Sequence, residues 1–388
     1  MNIKNMVKDN VKRFPPSGIR KYFDLINEMQ GVISLGVGEP DFVTPWNVRE
    51  AGIYSLEKGH THYSSNAGYI ELRREISNFA YKKYGLNYNP INEIMVTVGG
   101  SEGIDIAIRA LAGPGDEVII PEPSFVAYKG CTVFAGATPV IINLRHEDEF
   151  KLTPELLKSA ITDRTKILIL PFPNNPTGAV MSREELAQLV DVLKDKDIFV
   201  ISDEIYSELT YGGKHISIAS FPEMKEKTLV INGFSKAFAM TGWRLGYAMG
   251  HKDLIFEMNK IHQYAIMCAP TTSQLAAIEA LKNCDNDVEE MVKEYNRRRR
   301  VLINGFRSAG LDCFEPKGAF YVFPCIKSTG LTSDEFCERL LMEQKVLAIP
   351  GNAFGECGEG FIRACYASSM ENIMEAVKRI GTFVEGLK

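Results

Sequence analysis

Lys236 sits in a run of small and apolar neighbours, Gly233-Phe234-Ser235-Lys236-Ala237-Phe238-Ala239, just after the apolar segment Thr228-Leu229-Val230-Ile231. A lysine in such company is partly desolvated, which lowers its pKa and favours amine chemistry on a carbonyl. Eight residues on, Arg244 offers a fixed guanidinium fork suited to phosphate. Upstream, Ser202-Asp203-Glu204-Ile205-Tyr206 follows the apolar run Ile198–Ile201. An acid at the end of a buried strand is costly without a cation beside it, so Asp203 needs one. Tyr206, three residues later, could turn a phenol into the same cleft. Asn175, in Pro171-Phe172-Pro173-Asn174-Asn175-Pro176-Thr177-Gly178, reads either as part of a turn or as an amide donor. Gly99-Gly100-Ser101-Glu102 follows another apolar run and opens a helix. Its backbone N–H groups could bind an anion, or Ser101 could merely cap the helix. No Lys-Ser/Thr pair follows the glycines, so it is not a nucleotide-binding Walker loop.

Each of these groups comes directly after a predicted strand. Strands are expected at Ile94–Thr97, Glu117–Ile120, Val140–Ile142, Lys166–Leu170, Ile198–Ile201 and Thr228–Ile231, short, continuous and rich in Val and Ile. That composition suits a parallel sheet buried on both faces. Helices are expected between them, at Glu102–Leu111, Phe125–Phe134 and Arg183–Leu193. Alternating β and α elements predict an open, doubly wound α/β domain, residues 45–280. Ligands of such sheets bind beyond the carboxyl ends of the strands, where these groups lie. A long helix near 286–308 and short strands near Phe320–Phe323 and Phe361–Arg363 predict a smaller α+β domain. It is formed by residues 1–44 and 281–388, with an N-terminal arm.

An acid for a cation, a lysine for an aldehyde, and an arginine with a helix N-terminus for a phosphate match one small molecule, pyridoxal 5'-phosphate. The set Asn175-Pro176-Thr177-Gly178, Asp203-x-x-Tyr206 and Ser235-Lys236 with Arg244 resembles the fold-type-I pyridoxal-phosphate enzymes. The similarity is greatest to class I/II aminotransferases of the aspartate and aromatic type, from about Ser17-Gly18-Ile19-Arg20 to Arg363. It implies a large, mostly parallel seven-stranded sheet. It also implies that Lys236 forms the Schiff base and moves the proton, while Asp203 keeps the pyridine nitrogen protonated. By the same resemblance Asn175 and Tyr206 hold the ring's phenolic oxygen, and Phe125 stacks on the ring. Gly100, Ser101, Glu102, Ser235 and Arg244 form the phosphate cup. Gly233 stands where many relatives carry a serine, which implies a cup one hydroxyl short. Arg363 grips the substrate α-carboxylate, with Gly38 of Gly36-x-Gly38-Glu39-Pro40-Asp41 closing over it; Phe125 and Asn175 also face the substrate. Tyr63 is expected to reach the phosphate of a neighbouring subunit, making a homodimer with shared sites.

The implied reaction is ping-pong transfer of an amino group from an L-amino acid to a 2-oxo acid such as 2-oxoglutarate. Some aspartate-specific relatives place a lysine where Ser101 stands, so a broad aromatic or acidic range is expected. Ser202–Tyr211 and Lys260–Tyr264 also resemble the N-acetyl-diaminopimelate aminotransferases of lysine biosynthesis. A C–S β-lyase is the rival outcome at the same lysine. A nicotinamide dehydrogenase would want Gly-x-Gly-x-x-Gly after its first strand, and no such run exists.

The remaining signals bound the partners. A net charge of -5 with mixed signs is no footprint for nucleic acid. The eight cysteines include no Cys-x-x-Cys pair, so neither a disulfide scaffold nor a metal site is expected. Free thiols, the lack of an apolar run near Met1 and the lack of a membrane-length segment predict a cytoplasmic protein that meets no membrane. His60 and His62 read as loop residues. Arg297-Arg298-Arg299-Arg300 reads as the solvated or ion-paired face of the long helix.

Overall fold

A computed structural model describes residues 3–16, 18 and 29–387. Ser17, Ile19 and Arg20, where the family resemblance begins, lie outside the described residues. In chain order the strands are β1 (Ile33–Ser34), β2 (Ile94–Thr97), β3 (Glu117–Glu122), β4 (Thr138–Asn143), β5 (Thr165–Leu170) and β6 (Phe199–Asp203). They continue with β7 (Thr228–Gly233), β8 (Gly246–Met249), β9 (Tyr321–Val322), β10 (Val346–Leu347), β11 (Ile349–Pro350) and β12 (Ile362–Cys365).

Seven strands form one sheet in the order β2-β8-β7-β6-β5-β3-β4. All its neighbours are parallel except β8, which runs antiparallel to β2 and β7. Successive residues of a strand point to opposite faces, and here each face feeds its own core. Ile94, Val96, Leu168, Val200 and Val230 enter one apolar cluster. Met95, Ile167, Ile169, Ile201 and Ile231 enter the other. Both faces being covered is why these strands lack polar alternation. Only the edge strand β4 is substantially exposed.

The helix Arg183–Leu193 has the predicted bounds and starts with a capping box, Ser182 and Glu185 each bonding the other's backbone. The strand β8 has no counterpart among the predicted strands. Its Gly-Tyr-Ala-Met sequence has no β-branched residue, and its burial between two neighbours comes from the sheet. A second sheet has the order β11-β12-β9, antiparallel throughout, and β1 pairs with β10 in parallel.

The helix Asp285–Ser308 bears out the ion-paired reading of the arginine run and adds that half of the run is buried. Arg298 and Arg299 are 7% and 4% exposed, while Arg297 and Arg300 are exposed. Four consecutive helical residues sweep the whole circumference, so half of the run must face inward. Arg298 Nη1 bonds Asp41 at 2.8 Å and its Nε bonds Glu294 at 2.9 Å. This ties the helix to the loop that carries Gly38. Among the described residues no helix is long and apolar enough to cross a membrane, and no group of His, Cys, Asp and Glu could hold a metal ion.

Candidate active site

A cavity of about 520 Å³ opens at the carboxyl ends of the strands. It is lined by Gly38, Gly100, Ser101, Phe125, Asn175, Asp203, Tyr206, Ser235, Lys236, Arg244 and Arg363, with Tyr128 and Tyr321 among others. Residues up to 325 positions apart are thus gathered by strand ends β2, β5, β6 and β7 and by β12 of the smaller sheet.

At one end lies the first turn of the helix Gly99–Leu111, which starts three residues before its predicted start at Glu102. Its N-cap, Val98, gives no side-chain cap, so Ser101 lies inside the first turn and the capping alternative falls. Uncapped N–H groups at a helix N-terminus favour an anion. Arg244 stands over them: a Cβ on Gly99 would come within 2.9 Å of its Nη2. Backbone contact between β8 and this turn needs another glycine, since a Cβ on Gly246 would lie 2.6 Å from Gly100 N. A Cβ on Gly233 would press on Gly246 Cα at 3.0 Å and Leu245 O at 3.1 Å, so a serine there would strain this seat. The Glu102 carboxylate lines no part of the cavity and turns to Val98 N and, at 2.7 Å, to His262 Nδ1.

At the other end Asp203 is buried and accepts from Tyr128 Oη at 2.7 Å and from Ile205 N at 3.2 Å. Burial pushes its carboxyl up, and the Tyr128 bond opposes that. Between the ends stands Lys236, its Nζ donating to Gly38 O at 2.6 Å. Desolvation lowers its ammonium to about 8, against the pull of the Cys365 thiol and Glu39.

Arg363 lies 3% exposed on β12. Its Nη1 donates to Asn175 Oδ1 at 2.9 Å and its Nη2 to Gly36 O at 2.5 Å. Its Nε is buried without a partner, and no described carboxylate pairs with the guanidinium. A buried cation left so is a seat for an incoming anion. Gly38 lets the loop close here, because a Cβ would lie 2.4 Å from the Tyr321 hydroxyl.

The donor set suits pyridoxal phosphate. An uncapped helix turn with Arg244 and Ser235 would suit its phosphate, Lys236 its aldehyde and Asp203 its ring nitrogen. Tyr63 stands apart, 80% exposed and outside the cavity wall. Sequence reading missed Tyr128, Tyr321 and His262. Tyr128 lies three residues after Phe125, which the expected helix Phe125–Phe134 would put on the same face; the helix in fact starts at Ala127, and the two are joined by a turn. Tyr321 and His262 carried no comparable signal.

Comparison with known proteins shows the family. The family described as Aminotransferase class I and II matches residues 30–380. The chain is 53% identical to the aminotransferase-named YugH of Bacillus subtilis strain 168, over 97% of this chain and 98% of that one. It is 44% identical to the aspartate aminotransferase of Pyrococcus abyssi, over 96% of this chain and 97% of that one. The crystal structure of an aromatic aminotransferase from Pyrococcus horikoshii superposes with a TM-score of 0.90 at 42% identity, covering 95% of this chain and 99% of that chain.

Proposed function

The chain belongs to the class I and II aminotransferases, pyridoxal-phosphate-dependent enzymes, and from that premise we propose that its cleft moves the amino group of an aromatic or acidic L-amino acid to a 2-oxo acid such as 2-oxoglutarate. The observation that carries the substrate side is Arg363, a buried guanidinium with an idle Nε on the same cavity as Lys236. A carboxylate laid along that fork receives charge-assisted bonds that hold Cα in one place. Asn175 Oδ1 and Gly36 O steady the fork's other nitrogens.

Pyridoxal phosphate, when bound, supplies an aldehyde that exchanges amines and a protonated ring that draws the electrons of a neighbouring C–H bond. Every other part falls to the chain. Lys236 is the amine and the base at the substrate Cα. With its ammonium near 8, about a tenth is neutral at pH 7. Asp203 holds the proton on the ring nitrogen, steadied by Tyr128. Asn175 Nδ2, left free by the bond its Oδ1 accepts, and Tyr206 donate to the ring's phenolic oxygen. Phe125 stacks on the ring, a contact contributing about 0.5–1.5 kcal/mol. The N–H groups of Gly100, Ser101 and Glu102, with Ser235 and Arg244, hold the phosphate. Tyr63 serves the phosphate of a partner subunit in a homodimer. Residues 45–280 form the domain carrying the cofactor, and 1–44 with 281–388 the domain carrying Arg363.

The test is a panel of amino acids mixed with the purified protein while its visible absorbance converts to the pyridoxamine form. Aromatic or acidic donors should drive the conversion, and 2-oxoglutarate should reverse it. Response to N-acetyl-diaminopimelate alone would replace this substrate reading. Pyruvate release from a cystathionine-like thioether, with no conversion by any amino acid, would end the transfer reading. Lys236→Ala should lose the borohydride-trapped adduct.

A further inference from the structure

Tyr321 touches three working parts of the cavity at once. Its hydroxyl lies 2.7 Å from the Tyr206 hydroxyl. That hydroxyl also fills the space where a Gly38 Cβ would be. Its ring carries the Arg363 guanidinium, with Cζ 4.6 Å from the centroid. The side chain is 1% exposed, so it does not reorient freely. The β9–β12 register sets Cys365 opposite Tyr321.

Two phenols 2.7 Å apart share one proton and leave one O–H free for the cavity. Which phenol donates is decided by the charges around the pair. The titratable and charged groups facing it are Arg363, Lys236 and the Cys365 thiol. Arg363 stands 4.6 Å over the Tyr321 ring, whereas Lys236 Nζ stands 5.7 Å from the Tyr206 ring. A closer cation withdraws more density and makes Tyr321 the better donor. Its bond to Tyr206 then polarises the Tyr206 O–H, and hydrogen bonds in such a chain strengthen one another. We infer that Tyr321 is a positioning residue that aims the Tyr206 hydroxyl proton into the cavity, toward the oxygen of the bound ring.

This inference rests on the cofactor reading above and goes beyond it by giving Tyr206 a direction. The readout is the pH titration of the cofactor's visible absorbance in the holoenzyme without substrate. A donor at the ring oxygen stabilises the state that has lost its proton, so weakening the donor moves the midpoint up. Tyr321→Phe keeps the ring under Arg363 and removes only the hydroxyl. Its midpoint should rise by about half a unit, a fraction of one hydrogen bond to a charged acceptor. Tyr206→Phe should raise it further. In the Tyr206→Phe background, Tyr321→Phe should change nothing, because its effect passes through Tyr206. An unmoved midpoint in the Tyr321→Phe holoenzyme overturns the inference, as does an equal shift in both backgrounds. A colourless wild-type protein would overturn the cofactor reading and this inference together, whereas a coloured one with no shift overturns this inference alone. Unchanged circular dichroism of Tyr321→Phe, with its titration shifted, separates aiming from a folding defect.

Discussion

Arg363 and Lys236 are the two cavity cations on which the proposed chemistry rests. They differ in how they are held. Arg363 is a planar fork with two nitrogens engaged and one idle. Arg363→Lys keeps the charge and loses the fork. The half-reaction rate constant with an amino acid at low concentration should fall by ~100-fold, read by stopped-flow absorbance. Lys236 instead makes a pH prediction. Its folded pKa, about 8, lies below the 10.5 of an unconstrained lysine. The unfolded chain therefore binds more protons in the window between those values, and stability rises with pH across it. Protein stripped of cofactor should show this rise in thermal midpoint from pH 8 toward 10.5, relative to Lys236→Met. A difference that falls with pH would contradict the burial of this amine.

At the scale of elements, strand ends and one antiparallel strand set the distances. β8 lies between β2 and β7 and presses Gly246 against the turn at Gly99-Gly100. Gly246→Ala would force a methyl into that backbone. Overpacking of this kind costs about 2 kcal/mol, which urea unfolding would measure. Because the displaced turn is the proposed anion seat, affinity for inorganic phosphate and for the cofactor should fall with it. A variant that loses stability and keeps both affinities would detach the turn from phosphate binding. The elements were legible where the physics was local. Arg183–Leu193 carries its own cap and apolar stripe, and its bounds were readable. β8 carries no strand signal in Gly-Tyr-Ala-Met and exists because two neighbours flank it. The buried half of Arg297–Arg300 was hidden for a like reason, since what faces a helix is set by another segment.

At the scale of the whole molecule the proposed dimer brings in a second copy. Tyr63 is 80% exposed and outside the cavity wall, although the family pattern gives it a phosphate. Trp46, Ile53, Tyr54, Leu56 and Tyr264 are also large, apolar and exposed. Those features fit a dimer in which each chain lends Tyr63 to the other. Sedimentation should give twice the 43.3 kDa of the chain. Mixing Lys236→Ala with a Tyr63→Phe variant should form hybrid dimers. Each hybrid would have one site with both defects and one with neither, so activity should exceed the sum of the separate variants. No recovery after subunit exchange would count against shared sites.

The sequence by itself determined the family resemblance and the cofactor it implies. Residue types at strand ends named an amine, an acid, a phenol, an amide and a phosphate fork, because desolvation and charge follow from the residue and its neighbours. Only the tertiary structure decided what stands beside each of them. It left the Gly99 turn uncapped, placed Arg363 without a counter-charge, set Tyr128 on Asp203 and joined Tyr321 to Tyr206. Those relations link residues tens to hundreds of positions apart. Hydrogen bonds and lost solvent act over a few ångströms, and only the folded chain brings such residues that close.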